Sequence, residues 1–153
     1  MTLYWAYGSN LNIQLMTSRC PGAVKLGAYV MPDTILRFRG IADVAVFPGA
    51  ECPGGLWEIT EADEARLDVI ENVSGGLYAK RFVTIQFNGR PHQCLVYQLS
   101  STAIREPSPP YLETIRQGYR DFNLDETRLN RAVDHAFRRR TAKPRRLARR
   151  VSQ

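Results

Sequence analysis

The sequence predicts an α+β domain built on a mainly antiparallel, barrel-like sheet. Strand patterns outnumber helical ones, and they do not alternate with helices as a parallel βαβ sheet requires. In addition, Asn88-Gly89 sits between two alternating apolar runs, the strongest short-range hairpin signal. The 153 residues, 44% hydrophobic and 24% charged, suit one globular core. A chain of this size buries roughly two-thirds of its unfolded surface.

Along the chain, Leu3, Tyr4, Trp5 and Tyr7 form a first short strand that breaks at Gly8. Ser9 or Asn10 then caps a helix over Leu11, Ile13, Leu15 and Met16, which stops near Cys20 before Pro21. Such a corner leaves backbone N–H groups converging beside a helix N-terminus, which attracts an anion or faces water. Val24 to Val30 and Thr34 to Phe38 read as two strands separated by the turn signal Met31-Pro32-Asp33. Ala42 to Phe47 follows as an apolar run ended by Pro48-Gly49, with Asp43 read as a strand-end residue and a site-facing orientation as the alternative.

After Pro53-Gly54-Gly55 comes a strand Leu56 to Ile59, and Thr60 with Asp63 makes a capping box for a helix. On a helical wheel Leu67, Ile70 and Glu71 share a sector of about 100°. Glu71 therefore shares the buried face, although on the wheel alone a flexible stem that bends back to solvent is the favoured reading. An inward Glu71 near the helix C-terminus has a raised pKa, through burial and through an unfavourable dipole worth roughly 0.3 to 1 kcal/mol. The hairpin, Leu77 to Phe87 and His92 to Leu99, comes next. Residues 100 to 107 link it to a helix with Ser108 at its N-cap and Pro109 in first position, carrying Leu112, Ile115, Tyr119 and Phe122 on one stripe and Tyr111 off it. Asp125 caps a last helix whose apolar face is Leu129, Ala132, Val133, Ala136 and Phe137.

The net charge of +6 is concentrated at one end. Residues 138–153 carry eight positive charges and no acid, which leaves 13 basic against 15 acidic residues elsewhere. The expected division is a domain over 1–137 and a basic tail over 138–153. A solvated tail is favoured over a contact with nucleic acid or an acidic partner, since no aromatic residue is interleaved to stack on bases. Cys20, Cys52 and Cys94 are odd in number and widely spaced, so they are expected as buried thiols, not a disulfide framework. His92 and Cys94 share a strand face, but His135 is the only other histidine, and no metal site is expected. With no apolar run of membrane length and no leader pattern, a cytoplasmic protein without a membrane partner is expected.

Three stretches stand in a telling order: Tyr7-Gly8-Ser9-Asn10-Leu11; Leu67-Asp68-Val69-Ile70-Glu71 followed by Gly76-Leu77-Tyr78; and Pro107-Ser108-Pro109-Pro110-Tyr111. Together they resemble the γ-glutamylcyclotransferase family, over residues 2 to about 135. The resemblance implies a small β-barrel flanked by helices, and an enzyme that cyclises a γ-glutamyl amino acid or amine to 5-oxoproline with release of the amine. It implies Glu71 as catalytic acid/base, Tyr4, Trp5, Ala6, Tyr7, Gly8 and Ser9 as the cradle for the γ-glutamyl group, Tyr111 in contact with substrate and Tyr78 lining the cavity. The partner is then a small molecule, no cofactor is called for, and a homodimer stays open. Asn72 departs from the family, which usually has glycine after the acid; asparagine is the next best residue for a left-handed backbone. The competing reading keeps the fold without catalysis and uses the Arg-rich tail on nucleic acid or an acidic partner.

Overall fold

The computed structural model describes residues 1–100 and 103–141. Five strands form one mixed sheet in the order β2-β3-β1-β5-β4. They are β1 (Thr2–Ala6), β2 (Val24–Phe38), β3 (Ala42–Ile59), β4 (Tyr78–Phe87) and β5 (Arg90–Leu99). Only the β1–β5 pair is parallel; the other three pairs are antiparallel. The α+β class with a mainly antiparallel sheet is as expected. The sheet does not close, however, since β2 and β4 remain its two edges, and the barrel description holds only loosely.

The expected hairpin forms with Phe87 opposite Arg90, and Asn88 and Gly89 take φ of 51° and 74°. Two positive φ values are what a two-residue type I′ turn requires, and Asn-Gly meets that requirement with little strain. The two strands expected before and after Met31-Pro32-Asp33 are a single strand, β2. Asp33 adopts φ of 49° and shifts the register between Pro32 and Thr34, so the turn signal marks a β-bulge. Its carboxylate accepts the Gly49 N–H at 2.9 Å, which fixes the bulge to β3.

Pro48-Gly49 and Pro53-Gly54-Gly55 likewise do not end strands; both lie within the 18 residues of β3. Gly54 and Gly55 are there for space. A Cβ on Gly54 would meet the Trp5 indole and the Ala6 carbonyl oxygen, and one on Gly55 would meet the Phe122 ring. The fully buried Trp5, Trp57, Phe38 and Tyr119 fill the core around these gaps.

Among the described residues four α-helices and one 3-10 turn (Ser9–Leu11) flank the sheet: α1 (Ile13–Arg19), α2 (Glu61–Ile70), α3 (Pro109–Asp121) and α4 (Thr127–Thr141). Asn12 caps α1, not Ser9 or Asn10, because the 3-10 turn intervenes; its side chain accepts from Leu15 N at 3.0 Å. The capping box at Thr60 and Asp63 and the cap at Ser108 form as expected. α3 packs on the 3-10 turn so closely that Gly118 has no room for a Cβ against Leu11. α4 rests on β2, burying Leu129, Ala132 and Ala136, but Phe137 is 55% exposed and does not join that face. The helix continues through Arg138, Arg139 and Arg140, which the expected division had placed in the tail. The rest of the tail, from residue 142, lies outside the described residues. Among the described residues no helix is long and apolar enough to cross a membrane.

Candidate active site

Where β1 gives way to the 3-10 turn, the chain forms one wall of a cavity of about 170 Å³. Its lining includes Tyr4, Tyr7, Gly8, Ser9 and Asn10 from this wall, Arg19 from α1, Ile41 and Ala42 from the start of β3, Ile70 and Glu71 from the end of α2, Leu77 and Tyr78 ahead of and on β4, Tyr97 from β5 and Tyr111 from α3. Residues from eight elements thus meet beside the end of β1. Of the site residues expected from sequence, Tyr4, Tyr7, Gly8, Ser9, Glu71, Tyr78 and Tyr111 are brought together. Trp5 and Ala6 are not. Strand alternation turns Trp5 away from Tyr4, and its indole N–H donates to Tyr29 O at 3.1 Å inside the core.

Glu71 owes its position to the way α2 ends. Asn72 N donates to Val69 O at 3.0 Å and Val73 N to Asp68 O at 3.0 Å, the two bonds of a Schellman motif. That motif needs a left-handed residue after the cap, and Asn72 supplies it with φ of 48°, so asparagine serves where glycine is usual. Leu67 is buried as the wheel predicts, whereas Ile70 is 40% exposed and lines the cavity. Burial raises the Glu71 pKa, and the Arg19 guanidinium partly opposes it.

Asn10, which is buried, ties the acid to the opposite wall. Its Nδ2 donates to Tyr4 Oη at 3.0 Å and to Glu71 Oε1 at 3.5 Å, while its Oδ1 accepts from Arg19 Nη1 at 2.8 Å. The indole of Trp57 holds the Asn10 carbonyl at 3.1 Å. Arg19 also reaches Ser9 Oγ at 3.4 Å and forms no ion pair among the described residues. A guanidinium in a cavity without a carboxylate partner leaves room for an anion from outside.

The anion-attracting helix start expected from sequence is already occupied. Ile13 N donates to Asp121 Oδ2 at 2.9 Å, so the N-terminus of α1 is satisfied within the protein. The amides of Gly8 and Ser9, by contrast, have no acceptor among the described residues.

The tyrosine hydroxyls divide into two kinds. Tyr78 donates to Ala42 O at 2.8 Å, Tyr97 donates to Asp68 Oδ1 at 2.7 Å, and Tyr7 donates to Tyr97 O, so these three protons are committed. Tyr111 instead accepts from Ala42 N at 2.9 Å and Tyr4 accepts from Asn10, so both keep an O–H for a ligand. Burial raises the pKa of every one of these phenols, Tyr111 to about 12, which keeps them protonated.

Asp43 lies beside this cavity but is spent structurally. It pairs with Arg39 at 2.8 Å and accepts the Leu99 N–H at 2.9 Å, the strand-end role expected for it. The three cysteines are free and buried, as expected, with thiols raised to about 11 for Cys20 and about 12 for Cys52 and Cys94. Among the described residues no group of three His, Cys, Asp or Glu side chains is placed to hold a metal ion.

Sequence reasoning missed Asn10, Arg19, Ile41, Ala42 and Tyr97. Asn10 stood in the first stretch singled out but was read as a helix cap. Arg19 carried a usable signal, a lone cation one helix away from an anion-attracting corner.

Compared with known proteins, residues 51–127 match the model of the AIG2-like family. The chain is 31% identical over 135 residues to a protein of Bos taurus named gamma-glutamylcyclotransferase, covering 80% of this chain and 72% of that one. A Mus musculus protein of the same name is 28% identical over 137 residues, with 81% and 73% covered. A solved structure named gamma-glutamyl cyclotransferase shares the fold at a TM-score of 0.71 and 24% identity, covering 99% of this chain and 94% of that one.

Proposed function

The chain belongs to the AIG2-like γ-glutamylcyclotransferase family and is a cyclotransferase, and from that premise we propose how its cavity works. The substrate is a γ-glutamyl amino acid or amine, and Glu71 is the acid/base that converts it to 5-oxoproline. The observation that supports this most is a single carboxyl group, Glu71, with a raised pKa, facing a guanidinium that pairs with no carboxylate among the described residues.

A γ-glutamyl compound brings an α-carboxylate and an α-ammonium on one carbon, with a γ-carbonyl at the far end. The carboxylate fits Arg19 together with the amides of Gly8 and Ser9. The ammonium then lies toward Glu71, which takes one proton from it and frees the lone pair. The amine attacks the γ-carbonyl of the same molecule, Glu71 returns its proton to the leaving nitrogen as that carbon–nitrogen bond breaks, and the second proton of the attacking nitrogen passes to the departing amine, which leaves as an ammonium. A base that must accept a proton from an amine and later give it back is served by a pKa raised toward neutrality.

Nucleophile and electrophile belong to one molecule, so folding the substrate until they are about 3 to 3.5 Å apart supplies much of the acceleration. The oxyanion of the tetrahedral intermediate needs a donor, and Tyr111 is the better candidate of the two tyrosines flanking Ala42, because Tyr78 has already spent its proton. Incubating the purified protein with γ-glutamyl dipeptides and γ-glutamylamines, and following 5-oxoproline, tests the reading; silence across the whole panel would refute it.

A further inference from the structure

The groove between edge strand β2 and α4 is lined by cations that nothing in the cyclotransferase chemistry uses. A cavity of about 200 Å³ opens there between Arg37 of β2 and Arg128 and Arg131 of α4. Further along the same helix, Arg139 and His135 come close to Arg37 and Arg39, near enough that their charges act on one another. The carboxylates in this neighbourhood pair with some of these cations: Glu51, which also lines the cavity, with Arg128, Asp43 with Arg39 and Glu106 with Arg140. Asp134 is the remaining acid on this stretch of α4.

Among the described residues no carboxylate pairs with Arg37, Arg131 or Arg139. Arg37 is half-buried, and a guanidinium cannot escape repulsion by losing its proton. The Nδ1 of His135 is buried without a hydrogen-bond partner. Like charges gathered in a groove at such cost indicate an anion that completes it.

We propose that the β2–α4 groove binds the phosphate backbone of a single-stranded nucleic acid. Residues 128 to 139 span about 16 Å of helix at 1.5 Å per residue, so the cationic stripe is elongated and matches a chain of phosphates better than one small anion. Arginine, whose planar fork meets phosphate oxygens in pairs, supplies the charge in the groove. The exposed Phe137 ring beside Arg138 gives a base a surface to stack on, the aromatic partner that the basic stretch lacked in sequence. Leu129, Ala132 and Ala136 of α4 are buried against β2 and leave Phe137 as the one exposed large apolar side chain among the described residues of the helix, too little to enter a lipid surface. After Thr141 the sequence adds Lys143, Arg145, Arg146, Arg149 and Arg150, so the positive charge is continued along the chain.

Anisotropy of a fluorescein-labelled 12-nucleotide oligothymidylate, titrated with the full chain over a range of salt, tests the assignment. Binding is expected at low salt and weakens as salt rises. The triple variant R37Q/R131Q/R139Q keeps the basic tail and is expected to bind at least tenfold more weakly, with a salt slope smaller by about 2 if each arginine neutralises one phosphate. Circular dichroism and thermal melting confirm that the variant is folded, without recourse to cyclotransferase activity, so failure of one reading leaves the other standing. Wild-type affinity in the folded triple variant, no binding of the oligonucleotide at low salt, or binding to phosphatidylserine vesicles in place of it would each overturn the proposal.

Discussion

Asn10 Nδ2 lies 3.5 Å from Glu71 Oε1, while the other end of the same amide holds Arg19 at 2.8 Å. One neutral side chain thus separates the cation from the acid and keeps both directed at the cavity. Asn10→Asp removes the donor and sets a second carboxylate beside Glu71, which holds the Glu71 pKa higher still. The acid limb of the kcat/KM profile should move to higher pH, with activity at neutral pH down by about tenfold or more. A pH–rate profile of the variant checks this; an unmoved limb would show that the contact does not matter to the acid.

Arg19→Gln separates binding from chemistry. Loss of a charge-assisted contact to the substrate carboxylate, worth about 1.5 to 3 kcal/mol, should raise KM by roughly 10- to 100-fold. The guanidinium also lowers the Glu71 pKa, so its removal should shift the acid limb upward in pH. Steady-state kinetics across pH reads both effects, and a variant with wild-type KM would remove Arg19 from the carboxylate site.

The two tyrosines flanking Ala42 should differ in kind. Tyr111→Phe deletes the hydroxyl proton assigned to the oxyanion, and a loss of about 10²-fold or more in kcat is expected. Tyr78→Phe deletes a proton already given to Ala42 O, so it should act mainly on stability, by roughly 0.5 to 1.5 kcal/mol. Measuring kcat and the unfolding midpoint for both variants decides the matter; equal losses of kcat would erase the distinction.

Local rules made much of this molecule legible. The Asn88-Gly89 turn and the capping box at Thr60 follow from spacing within about ten residues, while the helical wheel leaves an inward Glu71 beside the solvent-facing alternative that the cavity overturns. What was illegible depended on distant contacts. Met31-Pro32-Asp33 reads as a turn until β3 is known to run alongside and absorb it as a bulge. Trp5 sits among cradle residues in sequence, and only the pleat of β1 reveals that it faces the opposite way from Tyr4. Arg19 and Asn10 become a pair through a 3-10 turn that no sequence signal announced.

Gly54→Ala tests the view that the glycines of β3 make room instead of ending a strand. The new Cβ would lie 2.6 Å from Ala6 O and press on the Trp5 indole, so about 1 to 3 kcal/mol of stability should be lost. Urea unfolding gives the value directly. A variant as stable as the parent would return Gly54 to a turn-like role.

The central claim is that Glu71 moves the proton, and Glu71→Gln puts it to the test with nearly unchanged shape. The glutamine variant should fold, with a far-UV spectrum like that of the parent, because it removes a charge that burial already disfavours. Its rate of 5-oxoproline formation from a γ-glutamyl dipeptide that the parent enzyme turns over should fall by about 10² to 10⁴. A folded Glu71→Gln protein that forms 5-oxoproline at the parent rate would contradict the account.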